Sequence, residues 1–447
     1  MRDPGPDERR ANIGVLLGVV GLGSYLWWLV TAVSSPSVWG WDFRAYYAAT
    51  HALLLGGNLY ELGSPTTPFY LYPPTLAFLM LPLGALSLPA ATLVWNVLQH
   101  LCLLGAGALV VWLTRNDLVA WPIALRVGLL LFLWGTGVPI RDEIYLGQVN
   151  GLILLLLFGA LALARPWEAR ETTSVARLVT AGLLLGLAIS IKVQPILLLP
   201  YFVLRGRWRL ALAGGVGFAL LQAATIPFTN STLDYWLNLF PDLLRRSQGY
   251  IDNQSINGLA SRWLLPNEVV NLPRIENYES VWRIISTGAN LLVLLAAGII
   301  LVWPRIAVWR SKRSAVGLPA PMGANRLLML LEIALILASV SLTSYVTWPH
   351  HGVWWVVAAL ALVGWWLLME GSLPVWGMGA LGLVAVILSH SPGDWLRLVD
   401  AGQHPYWAAA LSGMHLYAMA LLWVILAATL MRSRFPSAGA SIVKVKT

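Results

Sequence analysis

Long apolar runs separated by short polar connectors recur along the whole chain. Read together with loop charge, they predict membrane-spanning helices near 13–33, 89–113, 120–138, 148–164, 175–191, 193–204, 208–228, 282–303, 326–346, 351–369, 373–390 and 407–431, about twelve in all. A hydrocarbon core of about 30 Å takes roughly 20 residues of helix. The apolar stretch from Pro74 to Leu86 rises only about 20 Å as a helix, so it reads as an interfacial or re-entrant element. Two connectors are longer than a span-to-span link needs: a first external loop over 34–88 and a second over 229–281. Their aromatic, amphipathic stretches ("YWLNLF", "ASRWLL") predict short helices lying on the membrane surface. No polar segment is large enough for a separate soluble domain. The expected architecture is one all-α polytopic membrane domain over 1–447, with a transmembrane core at 13–431 and a tail at 432–447.

Composition agrees with the pattern. The chain has 447 residues, 58% of them hydrophobic and 11% charged, against roughly a quarter charged in soluble domains. The formal charge of +9 raises the question of nucleic acid, but Lys and Arg fall in short loops between spans. That is the positive-inside distribution, and it predicts both termini in the cytoplasm and the two long loops outside. The run from Ile13 to Val33 follows Arg2, Arg9 and Arg10 and lacks a small-residue cleavage site, so it reads as a retained first span. Cys102 is the sole cysteine, which excludes an intramolecular disulfide.

Ionisable groups near a bilayer are costly and mark function. In "WGWDFRAYYAATH", Asp42 stands among Trp39, Trp41, Phe43, Tyr46 and Tyr47. A carboxylate shielded by rings can serve as a general base; the same residue can also cap a helix starting near Arg44. "WPHHGVWW" offers His350 and His351 either as imidazoles for a phosphate or leaving oxygen, or as part of the aromatic belt. Lys192 in "SIKVQP" is a snorkelling anchor or a cation for a lipid phosphate. In "RDEIYLGQVNG", Gln148 and Asn150 can bond sugar hydroxyls or cap a helix, while Asp142 and Glu143 offer hard oxygens for a divalent ion but read rather as a solvated loop. The rings of Trp41, Tyr46, Tyr47 and Tyr72 suit the apolar faces of a sugar. No GxGxxG, Walker, HExxH, CxxC or GxSxG motif stands in a fitting context.

The ordered set of the external Asp42, "YYAATHALLLGGNLYE", "YPPTLAFLMLPL", "GQVNG", "IKVQP", "NQSINGLASR" and "WPHHGVWW" resembles glycosyltransferase family 87, over about residues 13 to 430. These are membrane enzymes of the GT-C superfamily that include polyprenyl-phosphate-mannose-dependent mannosyltransferases and arabinofuranosyltransferases. The resemblance implies a GT-C bundle with an external active site, in which Asp42 is the catalytic base. His351 joins it at the reaction centre, and Lys192, His350, Arg262 and Arg283 face the donor phosphate. Sugar and acceptor contacts are expected from Trp41, Tyr46, Tyr47, Tyr72, Gln148, Asn150 and Gln254.

The implied partners are a polyprenyl-phosphate-linked sugar donor, a lipid or glycan acceptor and membrane lipids, with no nucleic acid. The donor carries its own leaving group, so no cofactor is expected. Asp42 is followed by Phe43 and not by a second acid, so no metal is expected either. Mannose transfer by inverting displacement is the leading expectation, with an arabinofuranosyl donor as the alternative. A lipid-linked sugar flippase or a noncatalytic scaffold would share the apolar build without the chemistry.

Overall fold

The structure, a computed structural model, describes residues 5–33, 39–61, 68–115, 121–168, 173–273, 276–311 and 322–434. Parts of the two expected external loops (34–38, 62–67, 274–275), Arg2 and nearly all of the expected tail lie outside the described residues. Every regular element among the described residues is helical.

Seven of these helices are long and apolar enough to cross a membrane: Pro6–Ala32, Leu88–Leu113, Trp208–Phe228, Tyr278–Trp303, Asn325–Thr343, Pro349–Glu370 and Met414–Ser433. The chain is therefore a multi-pass membrane protein. An eighth crossing results if Ile123–Thr136 and Val138–Leu146, bent by 64° at Gly137, count as one broken span. The remaining expected spans are shorter helices: Asn150–Ala164, Val175–Ile191, Gln194–Leu204 and Val375–Leu388. The first, second and last of these, 15, 17 and 14 residues long, rise only about 21 to 26 Å. Identifiable breaks shorten them. Lys192 leaves the helical region and Pro195 follows it, while Arg165 turns left-handed at φ 45°. Pro74 to Leu86 forms two short helices, Pro74–Leu79 and Leu81–Gly84, the second with Pro82 in its first turn.

The chain divides into two compact units. One comprises Leu22–Trp112 and Val138–Arg246. Its tightest packing joins Val175–Ile191 to Trp208–Thr225. A Cβ on Gly186 would stand 2.4 Å from Phe218 N, so only glycine permits that approach. In lipid, helices gain little from leaving an apolar solvent, and close backbone contact of this kind is what holds them. This crossing fixes the end of the helix from which Lys192 projects. A second cluster gathers Phe43, Tyr46, Tyr70, Leu76, Trp95 and Val149, all buried, around the Trp41–Leu54 helix.

The other unit comprises Met1–Gly21, Leu113–Gly137 and Ser247–Thr447. Met322–Thr343 and Trp355–Glu370 form its interior, and the second is apolar on every face. A helix of that kind must be wrapped by neighbours or lipid. Ser255 caps Ile256–Leu264 by accepting from Gly258 N.

Candidate active site

Three segments distant in sequence converge within the first unit. The Trp41–Leu54 helix starts after Gly40, whose amide bonds Tyr145 O at 2.8 Å. Asp42 lies in its first turn but caps nothing; its Oδ2 accepts a hydrogen bond from Gln148 Nε2. The reading of Asp42 as the cap of this helix therefore fails, because the helix begins two residues too early, with Gly40 at the cap position, and the carboxylate bonds Gln148 instead.

Gln148 follows the turn at Gly147, where φ is +77° and a Cβ would meet Phe43 Cβ at 2.8 Å. Both the left-handed backbone and the space demand glycine there. The Leu88–Leu113 helix pins the turn: Trp95 Nε1 donates to Gly147 O (2.8 Å), and Gln99 Nε2 donates to Glu143 O (2.9 Å) and Gln148 O (2.6 Å). Trp95 also stacks on Phe43, with centroids 6.0 Å apart. Gln148 Oε1 accepts from Tyr46 OH at 3.0 Å and Tyr72 OH at 3.1 Å.

Asn150 opens the next helix and turns to the other side. Its Nδ2 donates to Glu143 Oε2 at 2.7 Å, and its Oδ1 accepts from Lys192 Nζ at 2.8 Å. Gly151 N donates to Glu143 Oε1 at 2.8 Å. The Lys192 ammonium stands 5.9 Å from the Tyr72 ring centroid. Lys192 thus turns into the protein, and the snorkelling alternative does not describe it.

Electrostatics couple the members. Burial raises the Asp42 carboxyl to about 6, against the Gln148 hydrogen bond and the Lys192 charge, which both favour the ionised form. Burial pushes the Lys192 ammonium down, and Glu143 and Asp42 pull it back up. The arrangement sets a carboxylate able to take a proton beside an ammonium able to neutralise an anion, bridged by one four-residue turn.

Glu143 corrects an expectation: it is 0% exposed and not part of a solvated loop. In the Val138–Leu146 helix it shares the buried face with Ile140 and Ile144, and the spacing of three and one in "IRDEI" was the available signal. Trp95 and Gln99 were likewise legible as a polar pair four apart on one face of an apolar helix. Removing the Glu143 carboxylate would strip Asn150 and Gly151 of their acceptor and take from Lys192 the stronger of its two charge partners, leaving Asp42. Glu143→Ala is expected to cost about 3 to 5 kcal/mol, read as a marked fall in the melting temperature by tryptophan fluorescence; an unchanged melt would refute its structural role.

The other residues singled out in the sequence fall as follows. Trp41 packs under Arg44, 5.5 Å from guanidinium to ring, and Tyr47 OH donates to Leu86 O at 2.7 Å. Arg262, Arg283, Gln254, His350 and His351 belong to the other unit. Arg262 is fully buried and donates to Ser412 Oγ (2.8 Å), Tyr250 O (2.7 Å) and Asn253 O (2.9 Å). Gln254 donates to Ile251 O and Ser412 O and accepts from Leu416 N. Both side chains are thus engaged in tying loop backbone together. Arg283 is exposed on Tyr278–Ser311. His350 and His351 are buried in the Pro349–Trp354 turn with ring centroids 4.7 Å apart.

Residues 70–331 match the family model for glycosyltransferase family 87. That segment contains Tyr72, Gln148, Asn150 and Lys192; Asp42 lies N-terminal to it. Among curated proteins, the chain is 27% identical over 391 residues to a polyprenol-phosphate-mannose-dependent alpha-(1-2)-phosphatidylinositol mannoside mannosyltransferase of Mycobacterium tuberculosis, covering 80% of each chain. It is 26% identical over 401 residues to a polyprenol-phosphate-mannose-dependent alpha-(1-2)-phosphatidylinositol pentamannoside mannosyltransferase of Mycolicibacterium smegmatis, covering 81% of this chain and 86% of the relative. An alpha-(1->3)-arabinofuranosyltransferase of Mycobacterium tuberculosis is 26% identical over 273 residues, covering 59% of this chain and 60% of the relative.

Proposed function

The chain belongs to glycosyltransferase family 87, and from that membership we propose that it moves mannose from a polyprenyl-phosphate carrier to a hydroxyl of a phosphatidylinositol mannoside or a related lipid glycan. The observation that carries this reading is the pairing of Asp42 and Lys192 across the Gly147–Asn150 turn. Relatives named for a polyprenol-phosphate-mannose donor cover about four-fifths of the chain, which supports mannose.

In the proposed reaction Asp42 takes the proton of the acceptor hydroxyl. The acceptor oxygen forms its bond to the anomeric carbon as the bond from that carbon to the phosphate oxygen breaks. Polyprenyl phosphate departs with the electron pair, and the configuration inverts. Lys192 stabilises the charge that builds on the departing phosphate, an interaction strengthened where water is scarce. The protein's own ammonium does this work, so no divalent ion or cofactor enters the scheme. We assign the site to the external face of a GT-C bundle of about twelve crossings with both termini in the cytoplasm, on the loop charge. The short helices Pro74–Leu79 and Leu81–Gly84 line the route of the polyprenyl tail.

The base assignment fixes the pH dependence. The carboxyl sits at about 6 in the folded protein, and only its ionised form accepts a proton. Turnover should therefore rise with pH through an acid limb near 6 and level off above it, which initial rates between pH 5 and 8 would show. A flat profile across that range would remove Asp42 as the base.

The arabinofuranosyltransferase relative keeps a second donor in view. Purified protein in nanodiscs, offered polyprenyl-phosphate-mannose or polyprenyl-phosphate-arabinose with phosphatidylinositol mannosides, separates the two. Transfer of mannose supports the proposal; transfer of arabinose alone moves the chain to the second reading.

A further inference from the structure

Every polar atom of Gln148 is engaged within the protein. It is 3% exposed, its Nε2 donates to Asp42 Oδ2, and its Oε1 faces Tyr46 OH and Tyr72 OH, which lie 3.2 Å from each other. Its main chain is equally committed, with the amide donating to Glu143 O at 2.9 Å and the carbonyl accepting from Gln99. Tyr46 is itself 0% exposed. We propose that Gln148 is the positioning residue of Asp42, with the hydroxyls of Tyr46 and Tyr72 as the lock that sets its amide. The inference rests on the reading of Asp42 as the base.

A primary amide has two ends, a carbonyl oxygen that accepts and an NH₂ that donates. They are nearly equal in shape, so their partners decide which way the group faces. As placed, the NH₂ faces the carboxylate and the carbonyl faces two hydroxyls that can donate. Turned over, Gln148 would set a carbonyl oxygen against a carboxylate oxygen with no proton between them. Only a protonated Asp42 could accept that orientation, by donating to Oε1. The tyrosine lock therefore favours the ionised base. It also holds one carboxylate oxygen, leaving the second to receive the acceptor's proton, and it does so before any substrate arrives. Such preorganisation of a reacting group by its supporting shell is worth more than a flexible contact formed during reaction.

Other charges around Asp42 set the size of the effect. Lys192 approaches from the end of Val175–Ile191. The packed Val138–Leu146 helix carries Arg141, Asp142, Glu143 and Tyr145, of which Glu143 acts on Lys192. Arg44, Tyr47 and His51 share the helix of Asp42, and the packed Pro74–Leu79 and Leu81–Gly84 helices carry no titratable group. Lys192 still favours the carboxylate when Gln148 is replaced, so the titration should move and not vanish.

The test compares wild type, Gln148→Leu and Tyr46→Phe/Tyr72→Phe as full-length protein in nanodiscs, with two readouts. One is turnover and Michaelis constants against pH. The other, independent of activity, is the infrared band of the protonated carboxyl that Asp42→Asn abolishes, followed through a pH titration. Gln148→Leu should raise the midpoint of both by about one pH unit, the scale of one charge-assisted hydrogen bond. Transfer at pH 6 should fall by roughly fivefold, with both Michaelis constants nearly unchanged. The double tyrosine variant should shift the midpoint in the same direction, and it decides the matter by the same band if Gln148→Leu fails to fold. A midpoint that stays put overturns the inference, and a raised acceptor Michaelis constant with that fixed midpoint assigns Gln148 to sugar contact. Failure of wild type to transfer any polyprenyl-linked sugar would overturn the transferase proposal instead, while the infrared midpoint would still decide the role of Gln148.

Discussion

Asp42→Asn should abolish measurable sugar transfer while leaving the protein folded. The substitution keeps the shape of the side chain and an oxygen that can still accept from Gln148 Nε2, but it removes the basic group. General base catalysis typically contributes about 10²- to 10⁴-fold, so turnover should drop by at least a hundredfold with donor affinity retained. The stability change has a definite sign. Burial raises the folded-state carboxyl to about 6, above its unfolded value of roughly 4, so ionisation weighs against the folded state once pH passes the unfolded value. A neutral Asn escapes that cost. Melting of the variant should equal or exceed wild type at pH 8, and the difference should fade as pH falls toward 4. Normal turnover in Asp42→Asn would end the assignment of the base.

Lys192→Ala should act on the donor. A charged hydrogen bond to phosphate is worth about 1.5 to 3 kcal/mol, so the dissociation constant for polyprenyl-phosphate-mannose should rise by roughly 10- to 100-fold. The same change leaves Glu143 buried without its cation. Glu143 is held by Asn150 and Gly151, and its desolvated charge would then be uncompensated. A lower melting temperature should accompany the loss of affinity, so binding must be measured on the folded fraction. Lys192→Arg keeps the charge but not the compact head that fits Asn150 Oδ1, and it should recover stability better than affinity. Unchanged donor affinity in Lys192→Ala would refute its contact with phosphate.

Periodicity and length made the all-helical, multi-pass build legible, because apolar runs of spanning length have no other use. The number of crossings was less legible. Hydropathy cannot tell a 15-residue helix such as Asn150–Ala164 from a full span, and the bend at Gly137 splits one apolar run into two helices. The short motifs of the candidate site stood out as well. "GQVNG" was visible as a polar interruption at the end of an apolar run, and Asp42 as an acid among rings. What stayed hidden was which group each residue serves. Gln148 and Asp42 are 106 positions apart, and Lys192 and Asn150 are 42 apart. No local pattern encodes such a partnership. Tyr46, Tyr72 and Gln148 read as sugar contacts because aromatic and amide groups suit carbohydrates. Their bonds to one another emerge only from the packing of the Trp41–Leu54 helix against Val138–Leu146. Arg262 and Gln254 show the same limit from the other side. A charged or amide residue in a long connecting loop looks like a ligand contact, and the sequence shows nothing of the bonds each makes to backbone carbonyls of its own unit.

Sugar transfer differs most sharply from transport of a lipid-linked sugar at one point, the fate of the donor. Purified wild-type protein reconstituted with radiolabelled polyprenyl-phosphate-mannose and phosphatidylinositol mannosides should release polyprenyl phosphate in one-to-one ratio with newly mannosylated lipid, and Asp42→Asn in parallel should release neither. Movement of intact donor across sealed vesicles, with no polyprenyl phosphate formed by wild type, would contradict a transferase built on Asp42.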